Sequence, residues 1–242
     1  MAKLGNKNQF RGAIGPVIFQ ERYGKQYARI KRKKIRQTNA TKVSSSEFQY
    51  CSTWSKWIRI GLKPLWLSNT DPLVSQKLSG ALYATLQKNT ALPKGERNWS
   101  NTNMDGIKGF EVNTQSPFES YYKAEIGVEL TAIRTLKITL PEIITAQVVR
   151  YPEDCTDAVL VCCITATKIP EGELLKTVSE HFALPKSSVA LNSIIYESQP
   201  LPTDCIIVVA AQLVFFKHNI VNGRYALNNK KINPSTLLWA GV

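Results

Sequence analysis

The longest apolar run in the chain extends from Cys205 to Phe216 and is interrupted only by Gln212. A helix needs about 20 apolar residues to cross a bilayer, so this run is too short to span a membrane as a helix. It is rich in Val and Ile, which favour strands, and we interpret it as a buried β-strand. The sequence therefore predicts a β-rich body and no membrane insertion.

Similar apolar segments, separated by Pro and Asn-Gly turn signals, occupy the second half of the chain. The predicted strands cover residues 125–132, 134–140, 145–151, 157–168, 189–197, 205–217 and 235–241. Residues 172–182 fit either a short helix or another strand. Short strands at this spacing are typical of an antiparallel sandwich, and we predict an immunoglobulin-like β-sandwich.

Helical patterns precede these strands. Ser44 has the character of an N-cap with Glu47 at the third helical position, and apolar residues recur at helical spacing up to Pro64. A second helix is predicted after Asp71 and Pro72. The predicted fold class is α+β, with four segments: a basic arm or β-hairpin (1–43), a helical hairpin (44–88), a loop or linker (89–122) and the mainly antiparallel β-sandwich domain (123–242).

The formal charge of +13 is confined to the first part of the chain. Residues 1–65 contain 15 Lys and Arg and only two acids, Glu21 and Glu47, whereas residues 66–242 contain 16 bases and 16 acids. The densest basic run extends from Arg29 to Arg36. It is either a solvated strand or linker, or a contact surface for phosphates.

Aromatic residues alternate with the cations of this segment. Stacking of bases on aromatic rings within a cationic groove is how proteins hold single strands without sequence preference. The alternative for such rings is packing of the hairpin onto the helix. The predicted nucleic-acid or partner-binding residues are Arg22, Tyr23, Lys25, Tyr27, Arg29, Lys31, Arg32, Lys33, Lys34, Arg36 and Trp57.

The N-terminal segment resembles a known family. The resemblance rests on Gly12 and Gly15 in the first strand, the Gly24-Lys25 turn, the basic strand from Arg29, and the link of residues 37–41 before a helix. These features, over about residues 5–65, are similar to an uncharacterised protein family common in Bacteroidota. The resemblance implies a bacterial or bacteriophage context and no catalytic residues.

The sequence contains no recognisable catalytic or cofactor motif. Neither histidine, His181 nor His218, has the neighbours of a catalytic group, and we predict no metal, no cofactor, no small-molecule substrate and no enzymatic activity. The five cysteines are expected to be small buried side chains in a reducing compartment, with a Cys155–Cys205 pair left open.

Two function hypotheses follow from these features. In the first, the arm of a non-enzymatic protein binds nucleic acid without sequence preference. In the second, the chain is a self-assembling structural protein, such as a phage particle or filament subunit, whose arm contacts neighbouring subunits. The expected partners are nucleic acid or an anionic protein surface, together with copies of the chain in a homo-oligomer. The expected location is the cytoplasm or a phage particle.

Overall fold

The computed structural model of the chain describes residues 3–4, 10–22, 25–31, 37–66, 70–219 and 223–242. The chain divides into two compact units, residues 1–42 and residues 43–242. The predicted boundaries at residues 43, 88 and 122 stay predictions.

The described strands of residues 1–42 form an antiparallel sheet in the order β1-β2-β3-β4. They are β1 (Lys3–Leu4), β2 (Phe10–Ile14), β3 (Val17–Arg22) and β4 (Lys25–Ile30). The turn between β2 and β3 contains Gly15, whose φ of 55° lies in the left-handed region that favours glycine.

Helix α1 (Asn39–Gly61) begins before the predicted cap at Ser44. The Thr41 N–H donates to Thr38 Oγ1 at 3.2 Å, so Thr38 is the side chain that caps the first turn. Glu47 is buried instead of closing a capping box, and its carboxylate accepts a 2.7 Å hydrogen bond from the Gly95 N–H. The sequence predicts the helix but not its first turn, because the capping residue Thr38 lies in the polar link of residues 37–41 before Ser44.

Two further helices follow, α2 (Lys63–Trp66) and α3 (Val74–Gln87). Apolar residues recur every three or four positions along α1 and α3, which gives each helix one apolar face. The buried members of these faces are Cys51, Trp54 and Ile58 on α1 and Leu78, Leu82 and Leu86 on α3.

The rest of the chain is mainly β-structure. Its described elements are β5 (Gly127–Leu130), β6 (Leu136–Leu140), β7 (Ile143–Ile144), the one-turn helix α4 (Thr145–Val148), β8 (Asp157–Lys168), β9 (Leu174–Pro185), β10 (Ala190–Leu191), β11 (Ile194–Glu197), β12 (Cys205–Asn219), β13 (Gly223–Ala226) and β14 (Ser235–Gly241). Over the described residues, β13-β12-β8-β9 form one sheet with β14 also paired to β12, and β11-β6-β5 form a second sheet. All of their pairings are antiparallel.

The predicted strands 157–168 and 235–241 are present with these bounds, and the apolar run forms the central strand β12. Of residues 172–182, those from Leu174 onward form a strand, β9, and no helix. The predicted strand 145–151 is wrong, because this segment begins with the helical turn α4. The Thr145 hydroxyl donates to the carbonyls of Pro185 and Ser187 there, so the segment is held by a neighbouring loop in place of a strand ladder.

Side chains on the two faces of the larger sheet belong to two different cores. Along β12, Ile206 and Val208 pack with the helices, while Ile207 and Val209 pack with the smaller sheet. The end of α1 approaches β8 closely, since a Cβ on Gly61 would lie 2.9 Å from Thr165 Cγ2. The fold is thus α+β with a mainly antiparallel, β-rich body, consistent with a sandwich-like fold.

The connection between α3 and β5 is irregular but packed. It contains short 3-10 turns at Asp105–Ile107 and Phe118–Ser120, and it buries Trp99, Met104 and Val112 in the core. Hydrogen bonds from the Gly109 and Val112 N–H groups to carbonyls of β14, 2.8 and 2.9 Å long, fasten it to the edge of the larger sheet.

Gln212, the interruption in the apolar run, has a structural explanation. It is 1% exposed, and its side-chain amide donates to Asn233 Oδ1 at 2.6 Å. Asn228 donates to the same oxygen at 3.0 Å, and the Asn233 N–H donates to Ser116 Oγ at 2.9 Å. A buried amide is tolerated in such a place because its polar atoms are hydrogen-bonded.

None of the helices in the described ranges is long and apolar enough to cross a bilayer.

Candidate nucleic-acid interface

Strand β4 presents Lys25, Tyr27 and Arg29 on one face of the N-terminal sheet. Side chains alternate between the two faces of a strand, and these residues are two positions apart. Every residue of β4 is exposed, and Tyr27 retains 50% of its accessible surface. The Lys31 N–H donates to the Pro16 carbonyl at 2.5 Å, so the pairing with the neighbouring turn continues one residue past β4.

The neighbouring strand adds no acid to this face. Its register places Ile18 opposite Arg29 and Gln20 opposite Tyr27. Residues 1–42 contain a single acid, Glu21, and its carboxylate forms a 2.6 Å ion pair with Arg11. No acid among the described residues therefore forms an ion pair with Lys25, Arg29 or Lys31.

The opposite face of the same sheet is apolar. The register aligns Ile14, Val17 and Ile30 across three strands. Ile14 and Ile30 retain 52% and 75% of their accessible surface, and none of the described residues between positions 10 and 42 is buried. A small sheet whose described side chains are all at least partly exposed gains little from the hydrophobic effect, so a partner surface would stabilise it. This apolar face could not be predicted from β3 alone, because Val17, Ile18 and Phe19 are consecutive and only the strand register aligns Val17 with Ile14 and Ile30.

Several predicted contact residues lie outside the described residues. These are Tyr23, Arg32, Lys33, Lys34 and Arg36, and Arg22 is described through its backbone alone. The interface is therefore described through Lys25, Tyr27, Arg29 and Lys31.

Trp57, the remaining predicted contact residue, lies on α1 in the other unit. Its indole packs against the turn between β8 and β9, because a Cβ on Gly172 would lie 2.2 Å from Trp57 Nε1. The ammonium of Lys56 lies 5.3 Å from the centre of the Trp57 ring, within the range of a cation–π contact.

One carboxyl group outside this interface has a strongly shifted pKa. Burial raises the pKa of Glu111 to about 7, although the Phe118 N–H donates to Glu111 Oε2 at 3.0 Å and opposes the shift. The Glu111 backbone bridges to Thr236 of β14. This carboxyl group lies at the junction between the irregular connection and the larger sheet.

A cationic face with an exposed tyrosine can accept the phosphate groups of a nucleic acid and stack a base on the ring. Its positive charges face water, and no side chain described on this face restricts which base is accepted. Comparisons of the chain with protein-family models, with curated proteins and with solved structures found no match.

Proposed function

We propose that the chain is a non-enzymatic protein that binds nucleic acid without sequence preference through the cationic face of its N-terminal sheet. The observation that carries the proposal is the placement of Lys25, Tyr27 and Arg29 on one exposed face. The basic run from Lys31 to Arg36 continues directly from this strand and would extend the contact along the phosphate backbone. A bacterial or bacteriophage protein, acting in the cytoplasm or within a phage particle, would fit the resemblance of residues 5–65.

The electrostatics favour an anionic partner over a purely structural role for these cations. Residues 1–42 contain twelve Lys and Arg and one acid. Clustered like charges repel one another and destabilise a compact segment, and phosphates relieve this repulsion while releasing their own counterions.

The immunoglobulin-like assignment of the body also stays a prediction, and the binding proposal does not depend on it.

The test is the salt dependence of binding to a labelled 20-nucleotide single strand and to its duplex. Six to ten phosphate contacts would weaken the affinity by roughly 10³–10⁵-fold between 50 and 200 mM salt. The triple change Lys25→Gln, Arg29→Gln and Lys31→Gln should lower the logarithmic salt slope by about 2–3, because each lost phosphate contact removes about 0.7–0.9. An affinity that does not change with salt would contradict the proposal.

A matched control has the same net charge as the triple variant but an unchanged interface. Lys94, Lys123 and Lys230 are exposed lysines of the other unit, and their joint change to Gln should leave the salt slope unchanged. Tyr27→Ala should weaken single-strand binding by about 1–3 kcal/mol and duplex binding less, because only an unstacked base can lie on the ring.

The apolar face favours a second function, assembly of copies of the chain into a structural particle or filament. Ile14 and Ile30, which are exposed, and the half-buried Val17 form an apolar row of the kind found at protein–protein contacts. Light scattering at two salt concentrations, with the absorbance ratio recorded for bound nucleic acid, separates the two functions. A large assembly free of nucleic acid that is dispersed by Ile14→Thr and Ile30→Thr would favour assembly. A monomer or dimer that binds DNA would favour the first function.

A further inference from the structure

Some of the basic residues in the first 65 positions form a second group, which lies outside residues 1–42. Twelve of the 15 lie in residues 1–42, and the other three are Lys56, Arg59 and Lys63. All three line one cavity of about 330 Å³, which lies among the end of α1, α2 and the start of α3. The cations on α1 are three positions apart and lie on the same side of the helix.

This cavity combines positive charge with apolar walls. Ile60, Trp66 and Val74 line it beside the three cations, and no acid belongs to the part of the lining that the structure describes. Asp71, the nearest acid in sequence to α3, lies at the start of that helix and is already hydrogen-bonded. Its carboxylate is bonded to Lys77, Thr114 and the Leu73 N–H, and the hydrogen bond from Lys77 holds the pKa of that carboxyl below its usual range.

The cations of the cavity are not neutralised within the described residues. None of the ion pairs described there includes Lys56, Arg59 or Lys63. Two N–H groups of cavity-lining residues, Nε of Arg59 and Nε1 of Trp66, are buried and have no hydrogen-bond partner among the residues that the structure describes. Trp66 is 4% exposed. Unsatisfied buried donors cost free energy, and they are uncommon unless the region has a further role.

A structural explanation for part of this charge is the end of α1. Cations near a helix C-terminus interact favourably with its backbone carbonyls. That explanation does not account for Lys63, which follows the helix, or for the cavity itself. Val74, the first residue of α3, also lines the cavity, but the start of this helix is already complemented by Asp71, which accepts hydrogen bonds from the Leu73 and Val74 N–H groups. Every charged group of the described lining is a hydrogen-bond donor, so the site suits a ligand with an anionic group that accepts hydrogen bonds.

We infer that this cavity binds the phosphate group of a nucleotide, with Lys56, Arg59 and Lys63 around the phosphate and Trp66, Ile60 and Val74 against its apolar part. The volume is at the lower end of the ~300–1,000 Å³ typical of small-molecule sites and exceeds the need of a bare tetrahedral anion. The site belongs to residues 43–242, so it is independent of the cationic face of β4 and does not rest on the proposed function.

The test titrates the full chain with adenosine monophosphate and, separately, with inorganic phosphate, by calorimetry and by tryptophan fluorescence. We expect saturable binding of the nucleotide with one site per chain and weaker binding of phosphate. Lys56→Gln, Arg59→Gln and Lys63→Gln together should weaken nucleotide binding by at least ~100-fold, because each charged hydrogen bond contributes roughly tenfold or more. The control change of Lys94, Lys123 and Lys230 to Gln should leave it within twofold.

Two additional variants keep the test decisive. Lys56→Gln with Lys63→Gln changes only exposed cations, so it should fold even if loss of the part-buried Arg59 does not, and it should still weaken binding by at least ~10-fold. Trp66→Phe should retain calorimetric binding while reducing the fluorescence change. The Lys25, Arg29 and Lys31 variant should bind the nucleotide normally, which separates this site from the N-terminal face.

Absence of saturable nucleotide binding would overturn the inference, as would equal binding by the cavity variants and the wild type. Equal affinities for inorganic phosphate and the nucleotide would overturn the assignment of the apolar walls to the ligand.

Discussion

The contact between Gly172 and Trp57 predicts a large effect from a single methyl group. Gly172 has φ of 73°, and a Cβ there would lie 2.2 Å from Trp57 Nε1 and 2.6 Å from Trp57 Cδ1. Gly172→Ala therefore forces a non-glycine residue into a left-handed conformation, at about 1–2 kcal/mol. Displacement of the indole ring adds about 1–3 kcal/mol of overpacking.

The sum, roughly 2–5 kcal/mol, should lower the melting temperature by roughly 4–20 °C in a unit of this size. Thermal melts followed by circular dichroism measure the shift. The matched control is Gly80→Ala in α3, where an added Cβ meets nothing within 4 Å. That change should stabilise the helix by about 0.5–1 kcal/mol.

A second substitution separates the two parts of the effect. Trp57→Leu in the Gly172→Ala background removes the indole. It should therefore abolish the overpacking cost, while the cost of the left-handed backbone conformation at residue 172 remains. If Gly172→Ala has the same melting temperature as the wild type, the indole does not lie against this turn. Trp57 would then again be a candidate partner contact.

The remaining predictions concern titrating groups of the body. Burial raises the pKa of Glu111 from 4.5 to about 7 in the folded chain, so its contribution to stability is present below pH ~4.5 and is lost as the pH rises through 7. Urea titrations at several pH values should show this decline, and Glu111→Gln should flatten it; identical profiles would refute the assignment. Burial also raises the pKa of the Cys51 and Cys162 thiols to about 12, and all five cysteines are buried and free. Native protein at pH 8 should therefore react slowly with a thiol reagent until denaturant is added, and rapid reaction of all five thiols would contradict the described burial.

The body was predictable where local pattern and tertiary packing agree. The strands β8 and β12 are covered on both faces, so their sequences are nearly continuous apolar runs that identify them directly. The sequence of β9 fitted either a helix or a strand. Only one face of this strand is substantially covered, and apolar and polar residues alternate only weakly along it. The helical turn at Thr145 could not be predicted, since the hydrogen bonds that hold it come from residues 185–187, far along the chain.

The two candidate sites also differ in how far they could be predicted from the sequence. The cations of β4 share a face because of the two-residue period of a strand, which the sequence displays. The spacing of Lys56, Arg59 and Lys63 was also visible, but a helix surface with three cations is ordinarily solvated. Only the approach of α3, set by long-range packing, turns that surface into a cavity.

The position of β12 in the chain has a consequence for synthesis. This strand joins both cores, yet it follows its partners α1, α3 and β8 in sequence. At about 5–20 residues per second, the ribosome needs roughly 10–30 s to proceed from the end of α1 to the start of β12. Before β12 emerges, only the β8–β9 pair of the larger sheet is available to cover the apolar faces of α1 and α3. The nascent chain should accordingly depend on chaperones that bind exposed apolar segments, and it should fold cooperatively only once β12 has emerged.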